Sequence, residues 1–223
     1  MLRRLCLEQP ESFEFTTANS RWADEIVRKY PHGRQASAVI PLLWRAQEQE
    51  GWVSKPAINY IAAFLDMAPI RVFEVASFYF MFHLSPVGSI AHVQVCGTTP
   101  CMLRGSENLI SVCKNSIAGN AHQISEDGKL SWEEVECLGA CSNAPVVQIG
   151  KDYYEDLNTE SFEELLMQFR NGDIPEPGSQ IKRFSSEPFN ERTSLDSEIV
   201  EEKNASVEKA LKFKDTIGRV TGD

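Results

Sequence analysis

A chain of 223 residues with 42% hydrophobic side chains is long enough to build a full core and a smaller second unit, and needs no cysteine staples to do so. A formal charge of −10 and a pI near 5.0 argue against nucleic acid or an anionic membrane surface as a direct partner, since both are polyanions. No stretch reaches the roughly 18 apolar residues of a membrane span, so no direct membrane insertion is expected.

The first residues are basic at Arg3 and Arg4 but lack an apolar run. They do not read as a secretory signal, and Glu8, Glu11 and Glu14 argue against a transit peptide. The expectation is a cytoplasmic protein, with a mitochondrial matrix location disfavoured. A structural disulfide framework does not belong there, which shifts the cysteines toward a metal or redox role.

Residues 1–20 read as an extended lead-in. Ser20 to Tyr30 carries Trp22, Ile26 and Val27 on one face of a short amphipathic helix, stopped by Pro31-His-Gly33. A second helix is expected from Ala38 to Glu50, with Val39, Leu42, Leu43 and Ala46 inward and Gly51 as terminator. Ser54 suits the N-cap of a third, whose Ile58, Ile61, Ala62 and Leu65 keep helical spacing. Pro69 opens a fourth with Val72, Val75, Ala76 and Tyr79. Glu74 on it reads as a solvated or capping charge. Residues 1–85 thus form a helical domain, balanced at nine basic and nine acidic side chains.

Pro86-Val-Gly88 marks a boundary, and the period changes from helical to alternating. Ile90 to Cys96 reads as a strand and Arg104 to Ile117 as a helix with Leu109, Val112 and Cys113 inward. Short strands are expected at Gln123-Ile124 and Lys129 to Val135, about the turn Asp127-Gly128. Val146 to Ile149 and Tyr153-Tyr154 form a hairpin around Gly150-Lys-Asp152, and Thr159 caps a last helix from Glu160 to Arg170. The order β-α-β-β-α gives an α/β unit of thioredoxin-like size over residues 86–172. Residues 86–170 hold five basic and twelve acidic side chains, the most negative part of the chain. Residues 173–223 start stiffly at Ile174-Pro-Glu-Pro-Gly178 and read as an extended, poorly ordered tail that orders only in a complex. Leu195, Ile199, Val207 and Leu211 have the spacing of one helix face.

The chemistry lies in four cysteines: Cys96-Gly-Thr-Thr-Pro-Cys101, then 35 residues, then Cys137-Leu-Gly-Ala-Cys141. A thioredoxin-type exchange site fails because the sequence has no Cys-x-x-Cys. A Cys₄ zinc site uses pairs of this kind, but both spacings sit at the wide end for one tetrahedral centre. A [2Fe–2S] cluster takes two thiolates on each iron, and wide loops suit a larger object. Gly97, Gly139 and Ala140 are small enough to let backbone N–H groups approach it. The two histidines of a Rieske centre are missing from the pattern; His92 reads as a surface or hydrogen-bonded residue. A cluster of two ferric ions, two sulfides and four thiolates is formally dianionic. Adding an electron to it in an acidic domain points to a low potential, below about 0 mV.

Cys113 on an apolar helix face reads as a buried, inert thiol, and Cys6 has no partner at ligand spacing. The sequence has no Gly-x-Gly-x-x-Gly and no Walker loop, so NADH and flavin are not expected to bind this chain, and it holds no complete active site.

With Tyr30-Pro-His-Gly-Arg34, Ala46-Gln47, Gly51-Trp-Val53, Glu74 to Tyr79, Cys96 to Glu107, Glu136 to Cys141, Asn143-Ala-Pro145 and Tyr153 to Asp156, the chain resembles the thioredoxin-like [2Fe–2S] subunit of NADH:quinone oxidoreductase, respiratory complex I, known in bacteria as the E subunit. The resemblance covers roughly residues 13–189, and Arg183-Phe-Ser-Ser-Glu-Pro188 is similar to the branch shared by mitochondria and their bacterial relatives. It implies that Cys96, Cys101, Cys137 and Cys141 ligate one [2Fe–2S] cluster, and it assigns no catalytic residue. It further implies single-electron exchange with FMN on a neighbouring subunit that binds NADH, and a second neighbouring iron–sulfur subunit, on the cytoplasmic face of a bacterial inner membrane. The helical region, rich in Phe73, Phe78, Tyr79, Phe80 and Phe82, would be the arm that meets those neighbours. Two alternatives stay open: the equivalent subunit of an NAD-linked hydrogenase or formate dehydrogenase, and a zinc-stabilised binding module without redox function.

Overall fold

A computed structural model describes residues 4–188 and 205–212, in two compact units that divide between Val87 and Gly88. The first unit is helical. Its helices are α1 (Thr17–Val27), α2 (Val39–Glu50), α3 (Lys55–Leu65) and α4 (Pro69–Phe78), and a single 3₁₀ turn at Gln35–Ala38 leads into α2. Thr16 caps α1, Ser54 caps α3 by accepting from the Ala57 N–H, and Gly51 ends α2 in the left-handed region at φ 80°. The apolar stripes of α2, α3 and α4 meet in one core, with Leu42, Leu43, Ile61, Val72 and Ala76 almost fully buried.

The lead-in, which carries no contact signal in the sequence, is fastened to this unit. Phe13 and Phe15 are buried in edge-to-face contact with Tyr60, and the Cys6 N–H donates to Leu84 O at 2.9 Å. Buried Gln47 donates to Met81 O and accepts from the His83 N–H, which fixes the chain leaving α4. Glu74 is paired with Arg71 on the surface, as a solvated charge should be.

The second unit is a five-stranded mixed sheet in the order β2-β1-β3-β4-β5. Its strands are β1 (Ala91–Cys96), β2 (Leu130–Val135), β3 (Val147–Ile149), β4 (Asp152–Glu155) and β5 (Gly178–Ser179). β1 runs parallel to β2 and antiparallel to β3, and β4 runs parallel to β5. After the short α5 (Thr99–Leu103), helices α6 (Ser106–Ser116) and α7 (Thr159–Asn171) bury Leu109, Val112, Cys113, Phe162, Leu165, Leu166 and Phe169 in one cluster with the strands' Val93, Val95, Leu130, Val147, Ile149 and Tyr154.

Four local expectations need correction. The first helix runs Thr17–Val27, three residues ahead of the expected Ser20–Tyr30, because Thr16 caps it. The helix expected from Arg104 to Ile117 is α6, which starts at Ser106 after Gly105 at φ 103°, and a separate short helix, α5, precedes it unexpectedly. Pro100 stands in the first turn of α5, where its missing N–H leaves no bond unmade. The cap of α7 is Asn158 rather than Thr159: its side chain accepts from the Ser161 N–H while Ser161 Oγ accepts from the Asn158 N–H. Gln123-Ile124 forms one isolated bridge, Ile124 to Ser131, rather than a strand.

The chain past residue 172 stays on this unit through β5. That strand pairs with β4, and Tyr154 Oη donates to Pro175 O at 3.2 Å. A further helix, α8 (Ala205–Lys212), carries Val207 and Leu211, and Leu211 is exposed. Expectations for Leu195, Ile199 and the remainder of the tail lie outside the described residues.

Candidate metal centre

The topology explains why cysteines 35 residues apart can share a site. Cys96 is the last residue of β1 and is in register with Val135, the last residue of the adjacent parallel strand β2. A parallel pair requires a crossover, here α5 and α6, which carries the chain to the far end of the sheet so that β2 runs back to the end where β1 finished. Cys101 lies on α5 and Cys137 just beyond β2, so both pairs leave from one end of the sheet.

Cys96 and Cys101 are buried with Ala144 and Val146, and Leu138, Ala140 and Tyr153 pack against them. Cys137 and Cys141 are exposed, with their sulfurs 3.4 Å apart. Cys96 and Cys101 shift each other's protonation, Cys141 senses the charge of Cys96 and Cys137, and Cys101 senses Cys141. The four thiols therefore form one electrostatically linked group.

Their surroundings favour thiolate at some positions and oppose it at others. Burial pushes Cys96 up, but hydrogen bonds from Thr98, the Leu138 N–H and Cys101 outweigh it and hold this thiol below its ordinary value. The Thr98 contact is 3.3 Å from Oγ1 to Sγ. Cys137 is lowered by the Gly139 N–H, then by hydrogen bonds from Cys141 and Thr98. Burial raises Cys101 to about 12, helped by its hydrogen bond with Cys96. Cys141 is raised by its bond with Cys137. Two thiols held low beside two held high, with no cation among the causes, make a group that lacks positive charge. A metal ion or cluster held by all four as thiolates would supply it. The donor set of four sulfurs fits a [2Fe–2S] cluster or a Cys₄ zinc.

Gly139 aims its N–H at Cys137 Sγ at 3.4 Å, and its φ of 84° gives a further reason for glycine there. A Cβ on Gly97 would meet the side chain of Glu134 on β2, so the absence of a side chain there also leaves room for that carboxylate. Cys113 is fully buried and its thiol is pushed up to about 12 by burial, as an inert core cysteine should be. His92 is buried, with Nδ1 2.7 Å from Ser131 Oγ and Nε2 3.1 Å from Glu133 Oε1.

Sequence reasoning gives no role to Thr98, whose hydroxyl lies 3.3 Å from Cys96 Sγ and helps hold the Cys137 thiol low, or to Tyr153, whose Oη donates to Leu138 O at 2.9 Å inside the second loop. The hydroxyl two residues after Cys96 is the available signal for the first. The second needs the register of β4.

The sequence profile of the thioredoxin-like [2Fe-2S] ferredoxins matches residues 23–170. The chain belongs to this family. A relative from Rhizobium meliloti (strain 1021), the first of its E subunits of NADH-quinone oxidoreductase, is 54% identical over 219 residues, 96% of this chain and 79% of its own. That match reaches into residues 190–223, for which the sequence resemblance offers no counterpart. The E subunit of NADH-quinone oxidoreductase from Rickettsia bellii (strain RML369-C) is 48% identical over 161 residues, 72% of this chain and 96% of its own. Among solved structures, an air-oxidised NAD+-reducing [NiFe]-hydrogenase shares the ferredoxin fold at a TM-score of 0.54 and 18% identity. The match covers 62% of this chain and 23% of the hydrogenase chain.

Proposed function

We propose that this chain is the electron-carrying [2Fe–2S] subunit of an NADH-quinone oxidoreductase, with Cys96, Cys101, Cys137 and Cys141 as the ligands of its one cluster. The observation that carries the reading is the convergence of two cysteine pairs at one end of a ferredoxin-family sheet, in a chain 54% identical to an NADH-quinone oxidoreductase E subunit over nearly its whole length. When bound, the cluster takes up and returns one electron at a time. The chain's own residues do the rest. Cys96 and Cys101 hold the inner side away from water, and Cys137 and Cys141 leave the outer side open. Thr98 and the Gly139 N–H direct hydrogen bonds at sulfur, where added negative charge collects. The exposed Cys137 and Cys141 would face a partner subunit that carries FMN and binds NADH, with a neighbouring iron–sulfur subunit beside it, and the cluster they hold would exchange single electrons with that FMN.

Among the described residues no helix is long and apolar enough to cross a membrane. In this reading the chain is held on the cytoplasmic face of the inner membrane by the rest of its complex. The 18% likeness to the hydrogenase speaks for shared fold, whereas the relatives from Rhizobium and Rickettsia speak for the quinone-reducing complex. Affinity purification of the chain from its own cells should bring down an FMN-bearing, NADH-oxidising protein together with quinone-reducing subunits. Recovery with a hydrogenase or formate dehydrogenase, or with no flavoprotein, contradicts the assignment.

A further inference from the structure

The two cysteine pairs are held by different means. Cys96 and Cys101 sit on β1 and α5 and are buried. Cys137 and Cys141 lie on an exposed loop after β2, with no regular element beneath them beyond the 3₁₀ turn at Cys141–Asn143. A loop that must hold two ligands in one geometry needs support from elsewhere.

That support comes from the segment past residue 172. β5 carries the chain alongside β4, and the Gln180 N–H donates to Glu155 O at 3.0 Å. The Arg183 guanidinium then makes several bonds at once. Nε and Nη2 grip the Asp156 carboxylate as a fork, with both side chains nearly buried. Nη2 also donates to Ser142 O at 3.0 Å, the carbonyl of the residue directly after Cys141, and Nη1 donates to Glu187 O at 2.9 Å. Ser179 Oγ donates to the same carboxylate at 2.7 Å and accepts from the Arg183 N–H. One residue further along the loop, Asn143 Nδ2 donates to Ser185 O at 2.7 Å and to Glu155 Oε2 at 2.6 Å, while the Asp156 N–H donates to Asn143 O at 2.7 Å. Residues 142 and 143 are thus stitched to the strap by one planar cation and one amide, both anchored at the end of β4.

We infer that the strap from Gly178 to Glu187 clamps the second cysteine loop, and that Arg183 is a positioning residue for Cys141. The inference rests on the proposed ligand role of that cysteine. Arg183 touches no sulfur; it acts by fixing the carbonyl next to one. A lysine would keep the charge opposite Asp156, but its ammonium cannot form the fork and reach Ser142 O and Glu187 O together. The fork, and not the charge alone, is the feature under test.

The experiment uses the full 223-residue chain, with its metal content measured first, and compares R183K and R183Q with the unaltered protein. Metal release to an excess of chelator should be about 10- to 100-fold faster in R183Q, with R183K intermediate. The EPR line shape of the reduced protein and its midpoint potential should also change in both variants. R170Q serves as the control. It removes an ion pair with Asp127 and a hydrogen bond to Ser116 O, neither of which involves a cysteine loop, so it should lower stability without moving the spectrum or the potential. If R183Q does not fold, R183K decides, because the buried carboxylate keeps its counter-charge. Wild-type release rates and spectra in a folded R183K, or equal spectral changes in R170Q, overturn the inference. If the unaltered chain holds one zinc instead of two irons, the functional reading fails. The clamp is then tested by zinc release alone, where an unchanged rate in R183K and R183Q overturns it.

Discussion

The Thr98 hydroxyl lies 3.3 Å from Cys96 Sγ and helps hold the Cys137 thiol low. A donor aimed at sulfur stabilises the more negative, reduced state more than the oxidised one, and so raises the potential. Thr98→Val keeps the shape and β-branching but removes the donor. The midpoint potential should fall by about 40 mV, equivalent to about 1 kcal/mol for one electron, with the iron content unchanged. A potentiometric titration followed by EPR checks this; an unchanged or raised potential contradicts it. The four cysteines themselves are legible from spacing and from the absence of Cys-x-x-Cys. Thr98 is not, because hydroxyls near cysteines are common and only the turn between β1 and α5 sets the direction of this one. Gly97 is legible as small, but its neighbour Glu134, on the adjacent strand, is one that no local reading brings alongside.

At the scale of elements, helical periodicity and cap residues place α2 to α4, periodicity finds α1 three residues late because its cap, Thr16, goes unread, and alternation places β1 and β2. The misplacements have local causes. Asn158 and Thr159 are both good caps, and the choice between them depends on the return bond from Ser161. Asn158→Ala should cost about 1 kcal/mol in a denaturant melt and leave the metal content unchanged. Loss of metal with that variant contradicts a purely local role. Helix α5 is hidden because Pro100 reads as a breaker and the helix has only five residues. The strap reads as the start of a tail because its hold on the sheet uses two residues of β5 and one arginine, neither of which carries a periodic signal.

Where the strap meets β4, Glu155 is held above its ordinary carboxylate value, mainly by burial, with the hydrogen bond from Asn143 opposing and the charge of Asp156 adding. A carboxyl raised in the folded state favours folding while it is protonated. That stabilisation is lost progressively as pH rises from the ordinary value of 4.5 through the raised one. Glu155→Gln keeps an acceptor for Asn143 and removes the titration. Relative to the unaltered protein, its unfolding free energy should climb across that window and level off above it. A difference that stays flat with pH contradicts the burial argument.

At the scale of the whole molecule, a helical unit of balanced charge and an acidic ferredoxin unit form one chain with distinct surfaces. In the first, Ile70, Phe78 and Phe80 are exposed although Phe82 is buried, so the aromatic excess of the sequence is only partly used by its own core. In the second, the four-cysteine group lies at one sheet end with two cysteines open to solvent. Neither the mixed strand order nor the return of the chain as β5 follows from the order of elements alone, since several topologies share it. The shared site does follow in outline, because two parallel strands joined by a crossover finish at the same end of the sheet.

The central claim is that the four cysteines hold two irons. Iron, zinc and acid-labile sulfide should be measured on the purified full-length chain, together with an EPR spectrum after reduction. The account predicts two irons and two sulfides per chain, visible colour when oxidised, and a one-electron signal that develops at a potential below about 0 mV. A colourless protein with one zinc per chain and no EPR signal on reduction contradicts it.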